Sequence, residues 1–254
     1  MKQYNIYPTL LDAIQRYIDC DKTWEKYWGG SDEPTKTLAQ YQDECLQELI
    51  DKLNRKSQEP NYDAECGTAF NELVDILQTG QQSTLIDWRR DEMSGYVVTC
   101  NGFEFHFCNG IVDEAAEIYK GSSNQVYLEY TEQVKQGAVH LYGYADKVIG
   151  DKIIDIKTTK SYEWGKYEQN WQRYVYTLAL KAMCRVEAHT FQYDVYEWVK
   201  NAEPKSAVFA SEQYDVDIDR YRTTLRGFLE NVALPLIDSL ADQLTDEAKV
   251  KLFD

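Results

Sequence analysis

A short central segment of the chain carries acidic and basic residues at spacings that suit phosphate chemistry. Asp146 is expected to end one strand, and a tight turn follows at Gly150. Asp155 and Lys157 lie two residues apart on the next strand, so their side chains should share one face. Two carboxylates and a lysine on adjacent strands could hold a hard cation next to a polarised water, as phosphodiester hydrolysis requires. An ordinary ion pair across the sheet is the alternative.

The neighbours of Asp155 indicate that this carboxylate is buried. Ile153 and Ile154 precede it, and Ile156 follows it. A charged group among isoleucines needs a partner, because an unpaired buried charge is costly. Lys157 can be that partner either as part of a reactive site or as a purely structural counter-ion.

Two further polar pairs are expected on helices. Gln172 and Tyr176 are four residues apart in the segment 164–183, which has helical spacing, so they share one face. A helix expected from about 64 to 78 carries Asn71 at the edge of its apolar stripe. Each of these residues could equally be an ordinary polar residue on a helix surface.

The elements that must position these residues follow from hydrophobic periodicity. Alternation on both sides of an Asn-Gly pair predicts a β-hairpin over about 96–107. Three successive strands are expected at about 126–135, 138–149 and 152–158, and a further strand around 191–195. These strands predict a central mixed sheet built on a three-strand meander.

Helical periodicity dominates the two ends of the chain. We expect a mainly helical part over 1–95, the functional core over 96–200 and a helical extension over 201–254, in which Pro235 kinks or splits the helix. The chain has no internal repeat and no low-complexity linker, so all 254 residues should form one α+β domain with helices flanking the sheet.

Composition excludes several classes of protein. Hydrophobic residues make up 43% of the chain, which excludes a disordered protein. No apolar run approaches the length of a membrane span, and the beginning of the sequence has no signal-peptide pattern, so we expect a cytoplasmic protein without a membrane partner. The six cysteines form no CxxC pair and the three histidines are scattered, which argues against a zinc site.

The charge is unevenly distributed along the chain. The chain has 43 acidic and 27 basic residues and a net charge of −16, which argues against general attraction to nucleic-acid phosphates. The stretch 146–185 departs from this balance, with eight basic and five acidic residues and a net charge of +3. An anionic substrate would therefore bind near this stretch.

The order of the motifs resembles a known family of nucleases. Three motifs follow one another: Gly143-Tyr-Ala-Asp146, Asp155-Ile-Lys157-Thr158 and Gln172-Arg-Tyr-Val-Tyr176. This order on a strand–strand–helix background resembles the PD-(D/E)xK nuclease superfamily, in particular the RecB-like branch with its phage-type exonucleases. The resemblance covers about 126–185 most clearly and implies a restriction-endonuclease-like core.

The resemblance implies a set of ligands for Mg²⁺ or Mn²⁺. Asp146, Asp155 and the carbonyl oxygen of Ile156 would bind the metal. The branch often has Gly-x-x-x-His on an upstream helix, with the histidine on the metal. Gly67 to Asn71 is the matching stretch here, so asparagine stands in the histidine position, and its carbonyl oxygen could ligate the ion.

The resemblance also implies roles for residues that do not bind the metal. Lys157 would orient the attacking water and stabilise the charge that develops on phosphorus. Gln172 and Tyr176 would position this lysine or the scissile phosphate. Three basic residues in the same region are candidate contacts to the nucleic-acid backbone, although each could be a simple surface residue: Lys160, Lys166 and Arg173.

The function implied is a Mg²⁺- or Mn²⁺-dependent deoxyribonuclease, an exonuclease rather than an endonuclease, in phage or mobile-element recombination or repair. DNA would be the substrate, and a helicase, a single-strand annealing protein or further copies of the chain are candidate partners. Members with an iron–sulfur cluster need several cysteines near the end of the domain, and only Cys184 lies beyond Cys108, so we expect no cluster. The rival hypothesis is a catalytically silent nuclease-fold module that binds a partner protein through its acidic surface.

Overall fold

The structure is a computed structural model that describes residues 2–57, 59–91 and 95–253. Its strands are β1 (Gln3–Ile6), β2 (Ile86–Asp91), β3 (Gly95–Cys100), β4 (Phe103–Phe107), β5 (Ser123–Val134), β6 (Gly137–Ile149), β7 (Lys152–Thr159), β8 (Thr190–Trp198) and β9 (Ala207–Asp215). Its helices are α1 (Pro8–Ile18), α2 (Cys20–Trp28), α3 (Leu38–Leu53), α4 (Tyr62–Thr79), α5 (Asn109–Ile118), α6 (Gln172–Cys184), α7 (Ile218–Phe228), α8 (Leu234–Ser239) and α9 (Asp246–Leu252). No helix in these ranges is long and apolar enough to cross a membrane.

The main sheet is mixed, and helices flank it on both faces. Its strands follow the order β1-β6-β7-β8-β9, and β5 pairs with β6 along the opposite edge of that strand. β1 pairs with β6 and β7 pairs with β8 in parallel, while the remaining pairs are antiparallel. The α+β class and the β5–β6–β7 meander predicted from the sequence are therefore confirmed.

β6 changes its pairing partner halfway along its length. Its ladder to β1 ends at Leu141, and its ladder to β7 begins at Lys147. The five residues between these two points, 142–146, belong to neither ladder, and the first four of them remain paired with β5 on the other edge. A gap therefore opens between β6 and β7 on this side of the strand, in the middle of the sheet.

The two faces of the main sheet carry different layers. One face packs against a core formed by α1, α3, α6, α7 and α8. The other face packs against α4, which lies between the main sheet and a second, antiparallel sheet with the order β2-β3-β4. β7 is buried on both faces: Ile153 packs into the first core, and Ile154 and Ile156 pack into the second. This burial is typical of a central strand with helices on both sides.

The sequence-based boundaries differ from the structure at several points. The region predicted as mainly helical also contains β1 and β2, and the predicted helical extension contains β9. The segment 164–183 forms turns before its helix begins at Gln172. Asp146 does not end its strand, because β6 continues to Ile149. Pro235 does not split the helix at this end of the chain, because the π-helical residues Leu229–Ala233 join α7 directly to α8 and the proline lies in the first turn of α8, where it is tolerated.

The helix that faces the β6–β7 gap, α4, has clear local signals at both ends. The Asn61 side chain accepts hydrogen bonds from the backbone N–H groups of Asp63 and Ala64, and Gly80 ends the helix with a left-handed φ of 74°. Gly67 lies against β7, since a Cβ atom there would lie 2.6 Å from Oγ1 of Thr158. The missing side chain therefore lets α4 approach the sheet closely.

This close approach predicts the outcome of two alanine substitutions. Gly67→Ala should lower the free energy of unfolding by about 1–2 kcal/mol, because the overlap with Thr158 outweighs the gain in helix propensity. Gly227→Ala, in α7, is the matched control: a Cβ there meets nothing within 4 Å, so the substitution should stabilise the protein by up to about 1 kcal/mol. Urea unfolding measures both, and equal stabilisation would contradict the close helix–sheet contact.

Candidate functional site

The gap between β6 and β7 holds the first predicted aspartate. Oδ2 of Asp146 accepts a hydrogen bond from the backbone N–H of Ile156 at 2.8 Å, so the carboxylate occupies the place where a ladder partner would otherwise lie. In an antiparallel pair the N–H and C=O groups of one residue face the same neighbouring strand. The Ile156 carbonyl oxygen therefore faces the same gap as the Asp146 carboxylate.

Asp155 is the centre of a closed set of contacts with a lysine and a glutamine. Its side chain is 2% exposed, and its Oδ2 lies 2.6 Å from Nζ of Lys157. Nε2 of Gln172 donates to Oδ1 of Asp155 at 2.6 Å, and Nζ of Lys157 donates to Oε1 of Gln172 at 2.7 Å. The structure thus brings Asp155, Lys157 and Gln172 together, and Asp146 adjoins them through Ile156.

The two aspartates influence each other's ionisation. Burial raises the pKa of Asp146 to about 7, and the negative charge of Asp155 adds to this shift. Burial also raises the pKa of Asp155, although Lys157 and Gln172 oppose the shift. For Lys157, burial would lower the pKa, but attraction to Asp155, Asp146 and Asp12 outweighs it and raises the pKa. The lysine therefore stays protonated at neutral pH.

Two of the predicted metal ligands have a buried oxygen atom with no hydrogen bond. They are Oδ1 of Asn71 and Oδ2 of Asp155, of which the latter lies in the ion pair with Lys157. Across the described residues, no group of three or more His, Cys, Asp and Glu side chains is spaced to hold a metal ion. A divalent cation would therefore rely on two carboxylates with carbonyl and amide oxygens, a set that suits Mg²⁺ because it keeps several waters.

Asn71 lies on the face of α4 that is turned toward the main sheet. One turn earlier Gly67 lies against Thr158 of β7, and one turn later Asp75 pairs with the buried ammonium group of Lys147 in β6. Asn71 therefore lies between a contact to β7 and a contact to β6. Its Oδ1 is buried and accepts no hydrogen bond from any described residue.

The glycine and the tyrosine of the motif set are in direct contact. A Cβ atom on Gly143 would lie 2.9 Å from Cε1 and from the hydroxyl oxygen of Tyr176, so the ring rests on the backbone of β6. Burial raises the pKa of the Tyr176 hydroxyl, and the charges of Asp155 and Asp146 raise it further. The tyrosine is therefore a neutral hydrogen-bonding group at the edge of the site.

The sequence did not predict one acidic residue of this site, Asp12 in α1. Its Oδ1 accepts a hydrogen bond from the backbone N–H of Trp171 at 2.8 Å, immediately before α6 begins. Its carboxylate interacts electrostatically with Lys157 and Asp155. Asp12 therefore holds the start of the helix that supplies Gln172. The sequence did contain a clue to its burial, because Asp12 is an acidic residue within an apolar stretch of α1.

The three basic residues predicted to contact nucleic acid have different surroundings. Lys160 is 73% exposed and forms an ion pair with Asp63. Lys166 is exposed, and its Nζ donates to Oγ1 of Thr159 at 2.8 Å. Arg173 is 9% exposed, and its guanidinium lies against three tyrosine rings at 4.6–5.8 Å, at the wall of an open cavity between α6 and α7.

Comparisons with known proteins assign no family to the chain. No protein-family model matches the sequence, and no curated protein matches it. A solved structure titled "Crystal structure of SSO0001" is similar over 90% of this chain and 77% of its own chain, with 13% sequence identity and a TM-score of 0.40. A similarity at this level supports no conclusion about fold or function.

The position of Asp12 predicts a pH dependence of stability. Burial raises its pKa from 3.8 to about 6, so its stabilising contribution is present below pH 4 and is lost as the pH rises through 6. Asparagine keeps an acceptor for Trp171 but does not titrate. Relative to wild type, Asp12→Asn should therefore gain stability between pH 4 and pH 7, by at most about 3 kcal/mol. Urea unfolding at both pH values checks this, and a constant difference would contradict it.

Proposed function

We propose that the protein is a metal-dependent nuclease that hydrolyses phosphodiester bonds in DNA. Within this proposal the β6–β7 region is a restriction-endonuclease-like core of the RecB-like type, and the activity is that of an exonuclease. The observation that supports it most strongly is the convergence of Asp146, Asp155, Lys157 and Gln172 at one gap in the sheet. A purely structural ion pair would need only Asp155 and Lys157. It would not require the other motif residues around the stretch of β6 that lacks a ladder partner on the β7 side.

Four groups would hold Mg²⁺ or Mn²⁺: the carboxylates of Asp146 and Asp155, the Ile156 carbonyl and the Asn71 amide oxygen. Oδ1 of Asn71 fits this role because it is buried and accepts no hydrogen bond, and Oδ2 of Asp155 fits it because its one close partner is the ammonium group of Lys157. When bound, a divalent cation would neutralise phosphate charge and lower the pKa of a coordinated water.

Lys157 would supply a fixed positive charge next to the scissile phosphate. Its ammonium group has three donors, of which Asp155 and Gln172 engage two, and 22% of the side chain is exposed. The remaining donor is free to bind a phosphate oxygen or the attacking water. Because the pKa of Lys157 is raised, the residue acts as a charge stabiliser and not as the general base.

Gln172 would act as a positioning residue for this lysine. Its amide donates to Asp155 and accepts from Lys157, so both side chains are fixed relative to α6. Tyr176 lies one helical turn further along and rests on β6 at Gly143, which fixes α6 relative to the strand. A bidentate amide between an acid and a base limits the rotamers of the lysine, and such pre-organisation reduces the reorganisation needed during reaction.

A first experiment tests the chemistry directly. End-labelled DNA with Mg²⁺ or Mn²⁺ should be degraded, whereas an EDTA control should show none. Asp155→Asn and Lys157→Ala should each lower the rate by about 10²–10³-fold, because each removes a stabiliser of transition-state charge. Lys181→Ala is the matched control, since Lys181 lies on the exposed face of α6 and should leave the rate unchanged.

Thermal unfolding of each variant separates lost activity from lost folding. Wild-type rates in both folded variants would show that the chemistry lies elsewhere. Absence of cleavage by the wild-type protein with either metal would favour the catalytically silent module that binds a partner protein. The asparagine at position 71, where the resemblance leads one to expect a histidine, is an observation that favours this rival.

A metal titration tests the role of Asn71. Asn71→Ala should raise the Mn²⁺ concentration needed for half-maximal cleavage by about tenfold, because one neutral oxygen ligand is lost while both carboxylates remain. Glu72→Ala, at the adjacent position of α4, serves as the control and should leave the titration unchanged. An unaltered metal dependence of Asn71→Ala would show that this residue is only part of the helix surface.

A further inference from the structure

Two large aromatic side chains are exposed at one open cavity of the protein surface. Trp164, in the loop between β7 and α6, is 75% exposed, and Tyr27, near the end of α2, is 65% exposed. Both line one open cavity of about 600 Å³, together with the basic residues Lys26 and Lys166. Exposed aromatic rings interleaved with lysines are a pattern that the core of the protein does not require.

The loop that carries Trp164 is fixed to strand β9 by hydrogen bonds to a buried carboxylate. The carboxylate of Glu212, which is fully buried, accepts hydrogen bonds from the backbone N–H of Gly165 at 2.6 Å and from the hydroxyl of Tyr162. A buried carboxylate is stable only when donors satisfy it, so the loop and β9 are held together. Trp164 therefore projects into solvent from a fixed backbone.

This cavity continues toward the candidate site. A second cavity, of about 230 Å³, is lined by Asp12 and Arg16 and shares Lys166 with the first. Nζ of Lys166 contacts Thr159, two residues beyond Lys157, and the Tyr167 ring lies 5.8 Å from Nζ of Lys157. The two cavities adjoin at Lys166 and are here called the aromatic groove, which extends from Tyr27 and Trp164 to Asp12, whose carboxylate interacts electrostatically with Lys157.

We propose that the aromatic groove binds a single-stranded nucleic-acid segment and leads it to the candidate site. Bases would stack on Trp164 and Tyr27, and phosphates would contact basic side chains of the groove. Each base stacked on an aromatic side chain contributes on the order of 1–3 kcal/mol to binding, without sequence preference. The groove also contains four acidic residues, Glu163, Glu168, Asp12 and Asp19, so the phosphates would follow its three basic residues, Lys26, Lys166 and Arg16.

The exposed rings favour a single strand over a duplex. Bases in a duplex are stacked on one another, so their faces cannot reach Trp164 or Tyr27 unless the duplex is opened. Three basic residues provide few phosphate contacts, so the affinity should depend weakly on salt. The logarithm of the binding constant should fall with a slope of about −2.1 against the logarithm of salt concentration.

This inference rests on the proposed function for the identity of the substrate, but binding can be measured separately from cleavage. The affinity is measured by fluorescence anisotropy with a labelled oligothymidylate of twelve nucleotides. The buffer contains EDTA, which prevents metal-dependent hydrolysis. The full chain should bind this strand at least tenfold more tightly than a blunt duplex of the same length. Trp164→Ala and Tyr27→Ala should each weaken binding about tenfold or more.

Two controls make the outcome specific. Tyr127→Ala removes an exposed tyrosine on β5, outside the groove, and should leave the affinity unchanged. Lys166→Ala should reduce the salt slope by about 0.7, whereas Trp164→Ala should not change it. Binding without cleavage would contradict the proposed nuclease activity but support single-strand binding by the aromatic groove. The proposed binding would be contradicted by any of three results: unaltered affinity of Trp164→Ala in a protein that cleaves DNA, preference for the duplex, or no binding at all.

Discussion

The buried carboxylate of Asp155 constrains every element around it. An ionised carboxylate away from water is tolerated only if cations and donors surround it. Lys157 supplies the cation from the same strand, and Gln172 supplies the donor from α6. α6 must therefore begin at a fixed point, and the hydrogen bond from Trp171 to Asp12 ties that point to α1. A strand, two helices and their mutual distances thus depend on one desolvated group.

The fold could be predicted where short-range pattern decides the structure. The hairpin around Asn101 and Gly102 is present, and both residues have the positive φ angles that such a turn requires. β1 could not be predicted, because its alternation is only four residues long and its partner strand begins more than a hundred residues later. β9 lies at the edge of the sheet with most of its residues partly or fully exposed, so its hydrophobic pattern is weak.

The candidate site could be predicted as far as its residues lie in one ordered stretch of sequence. Asp146, Asp155 and Lys157 share consecutive strands, and a two-residue period is enough to place the last two on one face. Asp12 was not predicted as a site residue, because its contact to Trp171 joins distant parts of the chain and no local spacing indicates it. The burial of Arg173 could not be predicted for a related reason: charge suggests exposure, whereas the rings that shelter its guanidinium come from distant segments.

The parallel pairing of β1 with β6 has a consequence for synthesis of the chain on the ribosome. Gln3 pairs with Ala138, so 135 residues are added between the emergence of the two partners. At 5–20 residues per second this interval is on the order of ten seconds, during which the backbone groups of β1 have no partner strand. Tyr4 and Ile6 therefore stay exposed for that interval, and the lysine and aspartates can meet only after the central strands have left the ribosome.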